Sequence, residues 1–360
     1  MKTNKIIPIC LLLIGMTSCN TYHKMSTRIN RDGTMERKIS TLADSAFMAN
    51  HRNKSPFLFE LDDTWEITRY DSTMTVGFLD DNMKFNVKAA RKFSSPEAFR
   101  KEVRPIEHLD RLILPREELK KNFRWFYTYY TYNAVYTNLT DKLPIPLRSY
   151  FTDEEQQILF QSDMTAFEGR NGIEMYNILD DLSIKFEKWL QHCQFEIAYS
   201  ALTLELRRTG ENTYYPQLAN IRDDIFKKMD SKTKDDISVE TMIPLLNKHF
   251  NTTFFSTFYA GNKQRINETV EEKNELLAPF EHKIYFSLTM PGKVINANTI
   301  LRDHDALVWK VDAYRFLAHD YTLQAQSRTC NVWAFIVTGL ILLIAIYCFG
   351  RLYISSHKIV

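Results

Sequence analysis

Apolar and polar residues alternate along both ends of this chain, whereas through its middle the apolar ones recur every three or four positions. The first pattern puts successive side chains on opposite faces of a strand, and the second lays them along one stripe of a helix. Near the start, two alternating runs, Met25 to Ile29 and Met35 to Ile39, flank Asp32-Gly33. Asp and Gly both tolerate positive φ, so this pair predicts a type I′ hairpin turn. After a helix-compatible stretch from Ala43 to His51, strands are expected at Trp65 to Tyr70, Met74 to Leu79 and Met83 to Phe93. Asp80-Asp81-Asn82 is expected to turn between the last two. Pro96 opens a short helix through Val103, with Ser94 and Ser95 as candidate caps and Pro105 as its stop.

Phe123 to Tyr136 holds nine aromatic or β-branched apolar residues in fourteen, the composition of one long strand. Both of its faces are bulky, which favours burial between a sheet and covering helices over a binding surface. Leu143-Pro-Ile-Pro146 then marks a connection, and the periodicity changes. Thr152-Asp-Glu-Glu155 reads as a helix start leading into Gln156 to Gln161. The longest soluble helix is predicted over Ile173 to Arg208, with Met175, Leu179, Leu182, Phe186, Trp189, Cys193 and Ile197 on one stripe. Arg207 and Arg208 complement the helix dipole at its end, and Gly210 closes it. Two more helices follow at Tyr215 to Met229 and Ser238 to Phe250, separated by the charged linker Asp230 to Asp236. Asn251 to Tyr259 fits a strand or a helix end, and Asn267 to Leu277 favours helix.

Alternation returns at His282 to Met290, Ala306 to Val311 and Tyr321 to Ser327, with Pro291-Gly292 as a turn. Val332 to Gly350 then runs without a charged side chain. Nineteen helical residues at about 1.5 Å each match a hydrocarbon core of about 30 Å. Trp333 and Tyr347 near its ends are the aromatics expected at bilayer interfaces, and Arg351 stops the run. The expected fold is α+β: one antiparallel sheet from the N- and C-terminal segments, a helical insertion, and a C-terminal transmembrane helix. The divisions are a signal peptide (1–18), a β-rich segment (19–146), a helical segment (147–280), a β-rich segment completing the sheet (281–331), the membrane helix (332–350) and a short cytoplasmic tail (351–360).

Composition changes this picture mainly at the N-terminus. Lys2 and Lys5 precede an apolar run from Ile6 to Met16, followed by small residues, the form of an export signal. Met16-Thr17-Ser18-Cys19 has the form of a bacterial lipobox, which makes Cys19 a candidate lipidation site. Cleavage before Cys19 takes the 46 basic residues to 44, equal to the 44 acidic ones. With no basic surplus, nucleic acid is not an expected partner. The cysteines at 193, 330 and 348 build neither a disulfide framework nor a zinc pair, and Cys193 reads as a buried apolar residue.

Candidate chemistry is sparse. No GxSxG, HExxH or glycine-rich phosphate loop occurs, and no catalytic, metal or cofactor residue is assigned. Asp303-His304-Asp305 is the densest cluster of metal-ligating types, and a polar turn accounts for it. Glu107-His108, His319-Asp320, Asp180-Asp181 and Glu271-Glu272 read as surface groups. The lipobox-like segment, the aromatic run FRWFYTYYTY and Leu288 to Val294 before a terminal span together resemble Bacteroidetes-type cell-envelope lipoproteins. The closing strands and membrane helix are similar to the tail of LppM-type lipoproteins. That resemblance implies place more than activity: a periplasmic domain on the inner membrane, held by Cys19 and Val332 to Gly350, with a binding or scaffolding role towards an envelope protein. The competing expectation is an envelope hydrolase with an unrecognised site. Sharing one sheet, both chain ends are expected to approach one membrane face.

Overall fold

The computed structural model describes residues 21–49, 55–78, 81–106, 109–139, 143–161, 167–230, 237–274 and 279–356. Cys19, Asp80, Glu107 and His108 lie outside them. The first hairpin joins β1 (Thr21–Ile29) to β2 (Met35–Thr41), with Ile29 opposite Met35. Its loop is longer than the two-residue turn that Asp32-Gly33 predicts. The Gly33 N–H donates to the Asn30 carbonyl at 3.1 Å, and the Asp32 carboxylate accepts from the N–H and hydroxyl of Thr34 at 2.9 and 2.8 Å. Gly33 alone takes a positive φ here, +102°. Thr34 gives Asp32 a local acceptor role, and that replaces the type I′ geometry.

A one-turn helix, α1 (Ser45–Met48), precedes β3 (Glu66–Phe78) and β4 (Asp81–Phe93). A register shift between Arg69 and Met74 merges two predicted strands into β3, and Phe78 pairs with Asp81, so Asp81 and Asn82 belong to β4 and not to a turn. Next come α2 (Pro96–Glu102), α3 (Asp110–Ile113), β5 (Arg116–Arg124) and β6 (Tyr127–Tyr136). The aromatic run is therefore not one strand. Phe123 and Arg124 end β5, Trp125 and Phe126 turn, and β6 returns with Tyr127 opposite Arg124.

The helical segment comprises α4 (Asp153–Gln161), α5 (Gly172–Arg208), α6 (Tyr215–Asp230), α7 (Val239–Phe250) and α8 (Phe254–Asn274). Asn171 caps α5, its carboxamide oxygen accepting from the N–H groups of Ile173 and Glu174, while the Glu174 carboxylate accepts from the Asn171 N–H. The Glu211 N–H returns to the Leu206 carbonyl at 3.0 Å, ending the helix at Gly210 as predicted. The ambiguous Asn251 to Tyr259 stretch resolves as the start of α8, and Asn251 itself takes φ 49° after α7. The chain then enters β7 (His282–Thr289), β8 (Lys293–Ala297), β9 (Arg302–Asp303), β10 (Ala306–Asp312), β11 (Tyr321–Cys330) and α9 (Val332–Ser356).

The α+β class holds, and N- and C-terminal strands do share sheets around a helical insertion. Two refinements differ from expectation. The strands divide into two sheets, ordered β3-β4-β2-β1-β7-β10-β9 and β5-β6-β11-β8, and β1 pairs with β7 in parallel. Both sheets carry an apolar face, and each needs the other to cover it. Met25, Ile39, Val87 and Phe286 of the larger sheet share one core with Tyr130, Tyr132, Ala134 and Leu323 of the smaller. Tyr132 stacks on Phe286 at 6.5 Å with 15° between ring planes. α5 serves two cores with two stripes. Leu182, Phe186, Trp189, Cys193 and Ile197 face the sheets, whereas Phe195, Ala198, Leu202 and Leu206 face α6, α7 and α8. Met175 and Leu179, expected on the first stripe, are half-buried. Burial pushes the Cys193 thiol up to about 12, in keeping with a packing role.

An ion pair crosses the main core. Arg37 Nη2 of β2 donates to both Glu117 oxygens of β5 at 2.9 and 3.1 Å, and the two side chains are 0 and 1% exposed. Arg37 Nε donates to Thr27 Oγ1 at 3.1 Å, and the Phe99 ring lies 4.1 Å from the guanidinium carbon. Burial pushes the Glu117 carboxyl up, and Arg37 pulls it back only in part. Beside the same sheet, the Nε2 of buried His23 lies 3.3 Å from Nδ1 of His282 on β7. Burial lowers His23 to about 3, helped by His282, and lowers His282 to about 4.

The strand directions also place the chain ends. Gly292, just past β7, sits so close to the Arg328 backbone that an added Cβ would lie 2.3 Å from that carbonyl oxygen, and its φ is +77°. β7 thus runs towards the end of β11 that leads into α9. Because β1 is parallel to β7, Thr21 beside His282 begins at the other end, about 23 Å away over seven residues. The Tyr321 hydroxyl at the start of β11 donates to the Lys310 carbonyl, two residues from Asp312, which pairs with Lys283; the far end is therefore the same in both sheets. Cys19 lies two residues from Thr21, a reach of about 7 Å. The expectation that both ends approach one membrane face is overturned by the parallel β1–β7 pairing.

Two stability measurements follow in detergent-solubilised full-length chain. Glu117→Leu leaves the Arg37 charge buried and unpaired and should cost about 3–5 kcal/mol in chemical denaturation, while Arg37→Met with Glu117→Leu should recover most of that loss. Equal losses in both variants would mean the pair is not the issue. For the histidines, the folded-state pKa values lie below the ordinary 6.5, so the unfolded chain binds more protons in acid. Their contribution is complete above pH 6.5 and declines as pH falls towards about 4 and 3, by about 1.4 kcal/mol per pH unit for each histidine. His23→Leu should roughly halve that acid slope; an unchanged slope would assign it elsewhere.

Candidate functional site

The most built-up surface is where the β5–β6 tip meets α9. Only Asn331 separates β11 from α9, and it ties the two together. Its backbone N–H donates to the Phe126 carbonyl at 2.9 Å, and its Nδ2 donates to the Arg124 and Trp125 carbonyls at 3.0 and 3.1 Å. Its Oδ1 accepts from the Thr128 hydroxyl at 3.0 Å, and its carbonyl accepts from the Ala334 N–H at 2.9 Å. Asn331 therefore satisfies the hairpin's carbonyls and opens the helix at once.

Aromatic rings complete the junction. Phe123 stacks parallel to Trp333 at 6.2 Å, Trp125 meets Trp333 edge-on at 5.2 Å, and Phe126 packs on Phe335 at 4.6 Å. The Trp125 indole N–H donates to Thr338 Oγ1 at 2.8 Å, six residues into the helix. Even so, Phe123, Trp125 and Phe126 keep 59, 45 and 36% of their surface exposed. Behind the tip, Arg124 lies over Tyr129 at 5.2 Å and Arg328 over Tyr127 at 4.7 Å. The aromatic run thus divides by face: Tyr130, Tyr132 and Tyr136 are core, Tyr127 and Tyr129 are half-exposed under cations, and Trp125 and Phe126 form the tip. Beyond the tip, α9 stands free: its Val332–Gly350 stretch is 6% buried, so the body of this chain does not cover it.

The polar groups singled out in the sequence are held in structural contacts. Asp303 sits on the short edge strand β9, 2.9 Å from His304 Nδ1, 3.1 Å from the Tyr285 hydroxyl and 3.5 Å from Lys24 Nζ. The His304 hydrogen bond holds its carboxyl below the ordinary range. His304 itself takes φ 53° at the β9–β10 turn and is exposed. Asp320 accepts from the Asn138 N–H at 2.9 Å, and Asp181, Glu271 and Glu272 are exposed. Among the described residues no group of three His, Cys, Asp or Glu side chains is placed to hold a metal ion.

One polar cluster was not anticipated. His192 of α5 stacks on Phe226 of α6 at 4.2 Å, its Nδ1 lies 2.9 Å from the Tyr150 hydroxyl, and Glu196 accepts from Arg222 Nε at 2.6 Å. Burial lowers the His192 pKa. These contacts clamp α6 and the segment before α4 onto α5. Spacing alone could not join residues 150, 192 and 222, whereas Arg37 and His23 carried a legible signal. Both fall in register with the inward-facing Met25, Thr27, Ile29 and Met35.

No family model matches this chain, and no curated protein is similar to it. Among solved structures, the NMR structure of the folded domain of Mycobacterium tuberculosis LppM aligns with 87% of this chain and 91% of its own length, at 8% identity and a TM-score of 0.25. At that score the likeness carries no argument about fold or activity.

Proposed function

We propose that this chain is a membrane-anchored protein of the cell envelope, with α9 crossing the inner membrane and the α+β body on the periplasmic side in a binding or scaffolding role. The observation that carries this reading is a helix whose 19-residue apolar stretch has a mean hydropathy of 2.6 and is 6% buried by its own chain. Exposed to water, such a stretch is unfavourable along its whole length, and a bilayer is the solvent that removes the cost. Acylation of Cys19, after removal of the export signal, supplies a second tether. Since β1 begins at the end of the body remote from α9, that lipid holds the far end: it shares a bilayer with α9 only if the body lies along the surface, and an upright body directs it away.

Residues 172–274 supply the surface for a partner. Ile173, Tyr176, Ile184 and Leu204 are exposed on α5, away from both cores. A binding role over hydrolysis is supported by these exposed apolar side chains.

Each tether has its own test. Radioactive fatty acid should label the wild type and not Cys19→Ser, and equal labelling of both would rule out the lipid. Truncation before Val332 in the Cys19→Ser background should release the exported body into the soluble periplasmic fraction. With the signal replaced by one cleaved independently of Cys19, retention in the membrane would show that the two tethers together do not account for attachment. A reporter fused after Val360 should be active only if it is of a cytoplasmic kind; periplasmic activity would reverse the topology.

A further inference from the structure

We propose that the tip of the β5–β6 hairpin is itself a membrane-entering element, with Phe123, Trp125 and Phe126 seated in the interface and upper acyl region of the bilayer that α9 crosses. The inference rests on reading α9 as a membrane span, and three independent features of the tip carry it further.

The first is length. From Val332 to Gly350 the helix offers 19 residues, about 28 Å, which a hydrocarbon core of about 30 Å uses completely. Trp125 is hydrogen-bonded to Thr338, six residues and about 9 Å along that span. Were the tip to stay in water, only Gly339 to Gly350 would remain to cross. Those 12 residues reach about 18 Å, far short of the core. The span fits only if the tip beside its first two turns goes in with it.

The second is polar satisfaction. In lipid an unpaired backbone group costs several kcal/mol, so loops at membrane depth are tolerated only when their polar groups find protein partners. The carbonyls of Arg124, Trp125 and Phe126 all accept from Asn331, and the Trp125 indole N–H is given to Thr338. A surface turn meant for water needs none of this.

The third is the distribution of chemistry. Phe123 and Trp125 on Trp333, and Phe126 on Phe335, form two aromatic groups around the start of α9, the side chains that favour the headgroup boundary. Just behind them Arg124, Arg328 and exposed Lys293, which pairs with Arg328 across β8 and β11, form a basic rim suited to lipid phosphates. The nearest acid along β5 is Glu118, five residues before Phe123. Two insertions on one junction fix the body's rotation about the helix axis, which a single helix in the bilayer leaves free.

The test uses the full-length chain with its five native cysteines replaced, in nanodiscs of phosphatidylcholine and phosphatidylglycerol. Single cysteines at Phe126, Phe123, Glu118 and Leu342 would carry an environment-sensitive nitrobenzoxadiazole label. Labels at 126 and 123 should be quenched several-fold more by lipids doxylated near the headgroup than the label at 118, and should react several-fold more slowly with aqueous dithionite. The two tip positions make the result independent of the single Phe126–Phe335 contact. Dithionite reaction at 126 and 123 as fast as at 118, with 342 protected, would overturn the inference and leave the span intact. Fast reaction at 342 as well would overturn the span reading and the inference together.

Discussion

One residue, Asn331, stands between a strand of the smaller sheet and a helix with a 19-residue apolar stretch, and it is hydrogen-bonded on every polar atom that the geometry reaches. A linker of that length cannot act as a hinge. The direction in which β11 leaves the sheet therefore sets the direction of α9, and the hairpin beside β11 is pressed against the first turns of the helix. From this constraint come the exposed aromatic tip, the basic rim behind it, and the position of the start of β1 at the end remote from the helix. The chain ends are separated because β1 is parallel to β7, which itself runs towards that junction.

A body held by one end transmits orientation only if it is stiff, and its stiffness is distributed over two cores. The sheets are held face to face by aromatic packing and by Arg37 of β2, whose Nη2 donates to both oxygens of Glu117 on β5. Desolvation makes such a pair a weak source of net stability, so its contribution is better understood as specificity. α5, about 55 Å long at 37 residues, is the beam that joins the sheet core to the α6–α8 core. Residues from 182 to 197 face one and residues from 195 to 206 the other, and the drift between the two stripes is that of a helix with 3.6 residues per turn. Exposed Ile173, Tyr176, Ile184 and Leu204 on α5 are thereby joined to the sheet core that carries α9.

Much of this was legible from periodicity. The α+β class, the helical insertion, α5 with its cap and stop, and the terminal apolar helix all rest on patterns that propensity and burial share. The errors have specific physical sources. β5 was missed because an edge strand exposes one face and carries Arg, Glu and Lys, so its alternation is weak. Its absence made the neighbouring aromatic run look like a single strand, hiding the tip at Trp125 and Phe126. Parallel pairing of β1 with β7 and the division into two sheets depend on contacts across more than 250 residues, about which local pattern is silent. Inward alternation carried a signal for buried Arg37 and His23 that the reading of the sequence did not use, and their partners lay beyond it. Cys19 lies outside the described residues, and its lipid stands on the lipobox-like segment alone.

The junction around Asn331 puts the β5–β6 tip beside α9 and the start of β11 at the other end of that strand. Energy transfer to labelled lipid headgroups tests this placement most directly, with a donor placed on exposed Asn122 near the tip or on exposed Asp320 at the start of β11. Ten residues of β11 separate the two ends by about 30 Å. Near-complete transfer is expected from position 122, with the donor at position 320 farther from the headgroup plane by up to the length of β11. Equal distances for the two donors would contradict this expectation, since the body would then lie along the membrane.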